Sequence, residues 1–218
     1  MIFLTTFSSI EVSNETCLLS VWRRYGAEWC DHLRATVASL GVSEDSHLPF
    51  VLAPHLAILA TMIIAATGHR PDKLGGYSAG VVARLTRLAR TELDRYEPNS
   101  VIVGMAQGWD QAVAAACVQA DIPFSAYVPF PGQELQWPTE AQRVYYHLLR
   151  KAEHIKVCSA APYSVEKMQY RNECMVDDCT MVMALWNGTP GGTRNCVKYA
   201  YSKGVKLINC WPEWLALP

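Results

Sequence analysis

Six short apolar runs rich in strand-forming residues recur from Met62 onward. They are MIIAATG at 62–68, SVIVGMA at 100–106, PFSAYVPF at 123–130, HIKVCSA at 154–160, TMVMALW at 180–186 and VKLINCW at 205–211. Runs that are apolar throughout, rather than alternating, suit strands buried on both faces. The stretches between most of them have helical periodicity. In SAGVVARLTRLARTELDRY, Val82, Leu85, Leu88 and Leu93 fall close to one face, with Arg84, Arg87 and Arg90 elsewhere. DQAVAAACVQAD opens on Asp110, a candidate N-cap. TEAQRVYYHLLRKAE opens on Thr139 and SVEKMQYRNECMVDDC on Ser164 in the same way. Strands alternating with helices predict an α/β domain, a Rossmann-like three-layer sandwich with a mostly parallel sheet. Ligands of such sheets bind at the carboxyl ends of the strands.

Residues 1–61 read differently. They hold one helical pattern, CLLSVWRRYGAEWCDHLRATVASLG, and no clear strand alternation. They carry 3 basic and 6 acidic residues, against 16 and 14 for residues 62–218, whose balance is +2. They are expected to be an N-terminal extension: poorly ordered, or translated from upstream of a true start at Met62, or a helical cap over a sheet edge or the ligand crevice. The domain proper is then 62–218. FVLAPHLAILATMIIAAT, residues 50–67, approaches the length of a membrane span. Pro54 and His55 interrupt it and no basic cluster flanks its start, so its second half reads as a buried strand. No secretory signal pattern is read ahead of it.

Half of the 218 residues are hydrophobic and 18% are charged, enough to build a packed core. The formal net charge of −1 gives no bulk attraction to nucleic acid or an acidic membrane, so neither is an expected partner. None of the eight Cys forms a CxxC pair, and most sit in apolar runs. They read as reduced, buried thiols of a cytoplasmic protein rather than as metal ligands.

Four loops at strand ends carry unusual residues. In TGHRPDKLGGY, Gly68 permits close backbone approach, and His69 and Arg70 offer a donor and a fixed charge. The planar fork of Arg70 suits phosphate or carboxylate. In GMAQGWDQA, Gly104 and Gly108 bracket a strand-to-helix turn whose free N–H groups can hold an anion. Asp110 either caps that helix or takes a ribose hydroxyl, and Trp109 is either core or a stacking platform. In PFPGQELQWP, Gln133, Glu134 and Trp137 either line a pocket wall or belong to a plain connection. In ALWNGTPGGTRNCVKYA, Gly191 and Gly192 can aim successive N–H groups at one point, and Thr193 is a candidate cap for the helix that follows. That is the logic of a phosphate cradle without the Lys-Ser or Lys-Thr of a P-loop. Arg171, in YRNECMVDDC, either makes a local salt bridge or reaches into the crevice.

Together these four motifs resemble the SLOG superfamily, most closely its DUF1273-like branch of bacteria and phages, over nearly all of residues 62–212. The resemblance implies a Rossmann-like fold that binds a nucleotide or nucleotide-derived ligand, as a sensor or accessory protein, without a further cofactor. It would use Gly68, His69, Arg70, Gly104, Gly108, Asp110, Arg171, Gly191, Gly192 and Thr193. Distant members include the Lonely Guy phosphoribohydrolases and DNA-processing protein A, which loads recombinase on single strands. In the hydrolases an Arg-Lys pair precedes a PGGxGTxxE loop, and the Arg and the loop Glu serve N-glycosidic cleavage. Here Arg171 matches the Arg, and Asn172 stands where the Lys would. Pro190, Gly191, Gly192 and Thr193 match the loop with a deletion, and Asn195 falls near the Glu. A neutral amide neither stabilises oxocarbenium-like charge nor activates water as a carboxylate does. The phosphate-holding half is kept, and the remaining catalytic candidates are Arg171, Glu173 and Glu134, with Asp110. Pairing of copies through a helix face, common in related folds, stays open. N-glycosidic cleavage and single-stranded DNA binding are the alternative functions.

Overall fold

In the computed structural model, which describes residues 61–218, each apolar run supplies a strand. These are β1 (Ile63–Gly68), β2 (Ser100–Val103), β3 (Phe124–Val128), β4 (His154–Val157), β5 (Met181–Leu185) and β6 (Lys206–Asn209). They form one sheet in the order β4-β3-β2-β1-β5-β6, with every pair parallel. The expectations for residues 1–60, including the helical pattern after Cys17 and the thiols of Cys17 and Cys30, lie outside the described residues. No helix among the described residues is long and apolar enough to cross a membrane.

The period of two along each strand divides the core. Ile64 and Ala66 of β1 face Leu85, Leu88 and Leu93 of α1 (Ala79–Tyr96) and Val113 and Cys117 of α2 (Trp109–Ala120). Tyr145 and Leu148 of α3 (Thr139–Leu149) and Trp214 of α6 (Trp211–Ala216) complete that layer. Ala65, Ile102, Tyr127 and Val182 face the other way, onto Met175 and Val176 of α4 (Val165–Asp177) and Cys196 and Ala200 of α5 (Gly192–Ser202). Each large side chain fully buried this way contributes about 1.5–3 kcal/mol, which is what fixes the helices to the sheet. The result is a three-layer α/β fold. β4 departs from the expectation of strands covered on both faces: it bonds β3 alone, and all four of its residues are exposed.

Local signals set the helix starts. Ser78 Oγ accepts from the Val81 N–H at 3.3 Å, and Ser164 Oγ from the Lys167 N–H at 3.2 Å. Thr139 instead follows an N-cap at Pro138, and Asp110 sits one residue inside α2, whose N-cap is Gly108 at φ +97°. Replacing Ser164 with alanine is expected to destabilise the domain by about 1 kcal/mol, because an orphan N–H of α4 loses its acceptor. A urea midpoint equal to that of the wild type would show that the cap contributes nothing.

Trp109 is core. It is fully buried, and its indole Nε1 donates to Met183 O at 3.4 Å. Gly68 is required by that packing, since an added Cβ would lie 2.5 Å from Trp109 Cβ and 2.6 Å from its ring. Cys117, Cys196 and Cys210 are buried and Cys158, Cys174 and Cys179 half-buried, all as free thiols.

Candidate functional site

β1 and β5 are hydrogen-bonded neighbours although three strands separate them in sequence. The chain leaving β1 runs to α1 on one face, and the chain leaving β5 runs to α5 on the other. The two connections diverge beyond the carboxyl ends, which is where an open parallel sheet makes a ligand crevice. A cavity of about 390 Å³ lies there. It is lined by residues 67–70 with Asp72 and Lys73, by Ala106 and Asp110, by Tyr163, Val165, Met168, Arg171 and Asn172, and by residues 190–193.

Two buried ionisable side chains line this cavity. Arg171, 4% exposed, donates through Nη1 to Gly104 O and, at 3.4 Å, to Tyr127 O. Its Nε donates to Asn172 Oδ1 at 3.0 Å. Burial opposes its charge and Asp110 supports it, and a guanidinium stays ionised regardless. Asp110, 5% exposed, accepts from the Ala106 N–H at 3.3 Å. Burial pushes its carboxyl up to about 6, against the opposing pull of Arg171, the Ala106 N–H and Arg70. It therefore sits within reach of both protonation states near neutral pH.

The rim carries two cations, Arg70 and Lys73, with the exposed carboxylate of Asp72 between them. Arg70 and Lys73 are exposed, the latter on a 3₁₀ turn at Pro71–Lys73. Lys73 Nζ donates to Thr189 Oγ1 at 2.8 Å and to Pro190 O at 3.3 Å, which ties the β1 loop to the β5 loop. Gly191 takes φ +143°, a conformation that favours glycine, and is the N-cap of α5 with no side-chain capping bond. Thr193 is not the expected cap. It lies inside the helix and is 9% exposed, and among the described residues no side chain caps the start of α5. Residues 190–193 line the cavity, so the N-terminal N–H groups of α5 and the helix dipole lie at it, an arrangement with the chemistry to hold an anion.

His69 lines the cavity and braces it. Its Nε2 lies 2.6 Å from Asn187 Oδ1 and 3.1 Å from Asn187 N, and its ring meets Trp211 edge-on at 5.9 Å. Burial lowers its pKa, so the ring is neutral at ordinary pH. A neutral ring makes one of the two Asn187 contacts at a time, with Nε2–H donating or its lone pair accepting. Gly104 and Gly108 support the cavity from outside its lining. Gly104 packs under Arg171, and a Cβ on Gly108 would lie 2.6 Å from His69 O.

The remaining candidates lie elsewhere. Glu134 is buried and accepts from Tyr146 Oη at 2.5 Å, while Gln133 reaches Tyr145 and Trp137 meets the Tyr145 ring edge-on. The 129–138 loop thus serves α3. Glu173 accepts from Gln169 Nε2 at 2.9 Å, and Asn195 is exposed on α5. None of these five residues lines the cavity, whose carboxylates are Asp72 and Asp110. Lys73, Tyr163, Val165 and Met168 were not singled out in the sequence. The signal that finds the last three is the Ser164 cap: it marks CSAAPYS as a further loop after a strand, one without glycine or charge.

The chain is 34% identical over 116 residues to the uncharacterized SPbeta prophage-derived protein YoqJ of Bacillus subtilis (strain 168), a match that covers 45% of this chain and 67% of that protein. The chain belongs to the YoqJ family. No family model matches the sequence. In structure, the YoqJ-family chain resembles DNA processing protein A from Streptococcus pneumoniae, with TM-score 0.51 and 16% identity over 71% of this chain. It spans about half, 52%, of that protein. DNA processing protein A from Helicobacter pylori, described for its single-stranded DNA binding mode, gives TM-score 0.51 and 15% identity, covering 70% of this chain and 67% of the other. The likeness is one of fold.

Proposed function

We propose that the crevice binds a nucleotide or nucleotide-derived ligand, with phosphate on the N-terminus of α5 between Arg70 and Lys73. The observation that carries this reading is the uncapped start of α5, with Gly191 at φ +143° and two cations beside it, at the β1/β5 switch point. Backbone N–H groups and a guanidinium together suit a phosphate dianion. The four sequence motifs, with the SLOG-type fold, support placing the chain in the DUF1273-like branch. Arg70→Ala is expected to weaken binding of nucleoside monophosphates about tenfold by calorimetry, the scale of one exposed charge-assisted contact. An unchanged Kd would remove Arg70 from the site.

One observation favours an enzymatic version. Asp110 is a buried carboxylate on the cavity lining, and it titrates at about 6. A carboxyl that both holds and releases a proton near neutrality suits general acid–base work at a glycosidic bond. Incubation with nucleoside monophosphates and dinucleotides separates the versions: free base, lost in Asp110→Asn, supports cleavage, and none supports binding alone. The small net charge disfavours a strand of nucleic acid, whereas the fold is shared with a protein described for its single-stranded DNA binding mode. A strand binder loses affinity steeply with salt, and a mononucleotide binder only weakly.

A further inference from the structure

We propose that Tyr163, with Val165 and Met168, forms a stacking wall for an aromatic base, so that the crevice selects a base–sugar–phosphate unit over a sugar phosphate. This rests on reading the crevice as a phosphate site. The cavity has two unlike sides. One is polar with a net positive charge, made by Arg70, Lys73 and the start of α5 with Asp72 as its single carboxylate. The other is apolar, made by the loop after β4 and the first turns of α4. Tyr163 is 64% exposed and Val165 62% exposed, so neither belongs to the core.

Tyr163 is nevertheless held in place. Its ring meets that of buried Phe130 at 5.7 Å with an interplanar angle of 85°. Lys167 Nζ donates to Ala160 O at 2.7 Å and Pro162 O at 2.8 Å, and Ser164 caps α4 directly after Tyr163. An exposed aromatic side chain on a pinned loop has little freedom left to lose when a flat ring stacks on it. A sugar phosphate would engage the polar side and leave the apolar side wet; a nucleotide engages both. The volume of about 390 Å³ lies at the low end of the roughly 300–1,000 Å³ of small-molecule sites, a fit for one nucleotide rather than a dinucleotide. The unit can arrive as a free mononucleotide or as part of a single strand.

The test is calorimetry on the full chain with AMP, GMP, CMP and UMP, with ribose 5-phosphate, and with a short single-stranded oligonucleotide. The wild type is expected to prefer at least one mononucleotide over ribose 5-phosphate by roughly five- to a hundredfold, the range of one base–aromatic stack. Tyr163→Ala is expected to bring that ratio close to one while leaving ribose 5-phosphate affinity in place, and Tyr163→Phe to keep it. A preference that appears only with the oligonucleotide, and falls in Tyr163→Ala, supports the wall with a strand as its source. Ribose 5-phosphate binding as tightly as every mononucleotide and the oligonucleotide, or a ratio untouched in Tyr163→Ala, overturns the stacking wall and leaves the phosphate site standing. No binding of any of these compounds overturns both.

Discussion

Gly104→Ala is expected to lower stability by more than about 3 kcal/mol, the scale of disrupting a buried charge arrangement, and so to drop Tm by roughly 6–12 °C. Gly104 is not at positive φ, so alanine fits the backbone there and the whole effect is steric. An added Cβ would lie 2.5 Å from Arg171 Cζ and 2.7 Å from Asp110 Oδ2, and it would also meet Arg171 Nη1. Neither side chain can yield freely. Arg171 is held by Gly104 O, Tyr127 O and Asn172, and Asp110 by the Ala106 N–H. Moving them strips buried charges of partners, which is far more costly than displacing apolar atoms. Gly192→Ala is the control: no atom lies within 4 Å of its Cβ position and its φ is not positive, so its Tm should stay within about 2 °C of the wild type. A Gly104→Ala protein as stable as Gly192→Ala would mean that Arg171 relaxes at no cost.

The two glycines also mark how far the sequence could be read. Strand positions were legible because a parallel sheet needs runs apolar on both faces, and β1, β2, β3 and β5 supply them. β4 and β6, at the sheet edges, are short and more exposed, so apolarity alone overstates their burial. Arg70 and the Gly191-Gly192 pair could be placed at strand ends because each lies in the loop after a buried strand, and each lines the cavity. The reasons behind individual glycines were not. Gly68 and Gly104 answer to Trp109 and Arg171, which lie far along the chain and meet them only after folding. Gly191 needs its φ, whereas Gly192, identical in the sequence, does not. The apolar wall was hidden by topology. α4 connects edge strand β4 to β5 on the far side of β1, and so carries Tyr163, Val165, Met168 and Arg171 across the sheet to the crevice. No local pattern contains that strand order.

Asp110→Asn is expected to make the protein more stable than the wild type at pH 8 and no different near pH 4. In the native protein Asp110 titrates at about 6, against an ordinary value of 3.8, because burial disfavours its charge more than Arg171, the Ala106 N–H and Arg70 restore it. Between those values the native state binds the proton more tightly than the unfolded chain. The contribution of this carboxyl to stability is therefore complete below about pH 3.8 and is lost as pH rises through about 6. A shift of this size is worth about 3 kcal/mol, at about 1.4 kcal/mol per pH unit. Asparagine has the shape of the neutral acid and never ionises, and Arg171 is charged beside either residue, so the variant keeps above pH 6 what the wild type loses. Urea midpoints across pH 4–8 measure the difference directly. A carboxylate that weakens its own fold at neutral pH, yet lines the cavity, fits a site that gives up stability for function. That reading requires the stabilised variant to lose ligand affinity or turnover. If the wild type is instead the more stable protein at pH 8, the attraction of Arg171 outweighs burial, and Asp110 is there to neutralise a buried arginine.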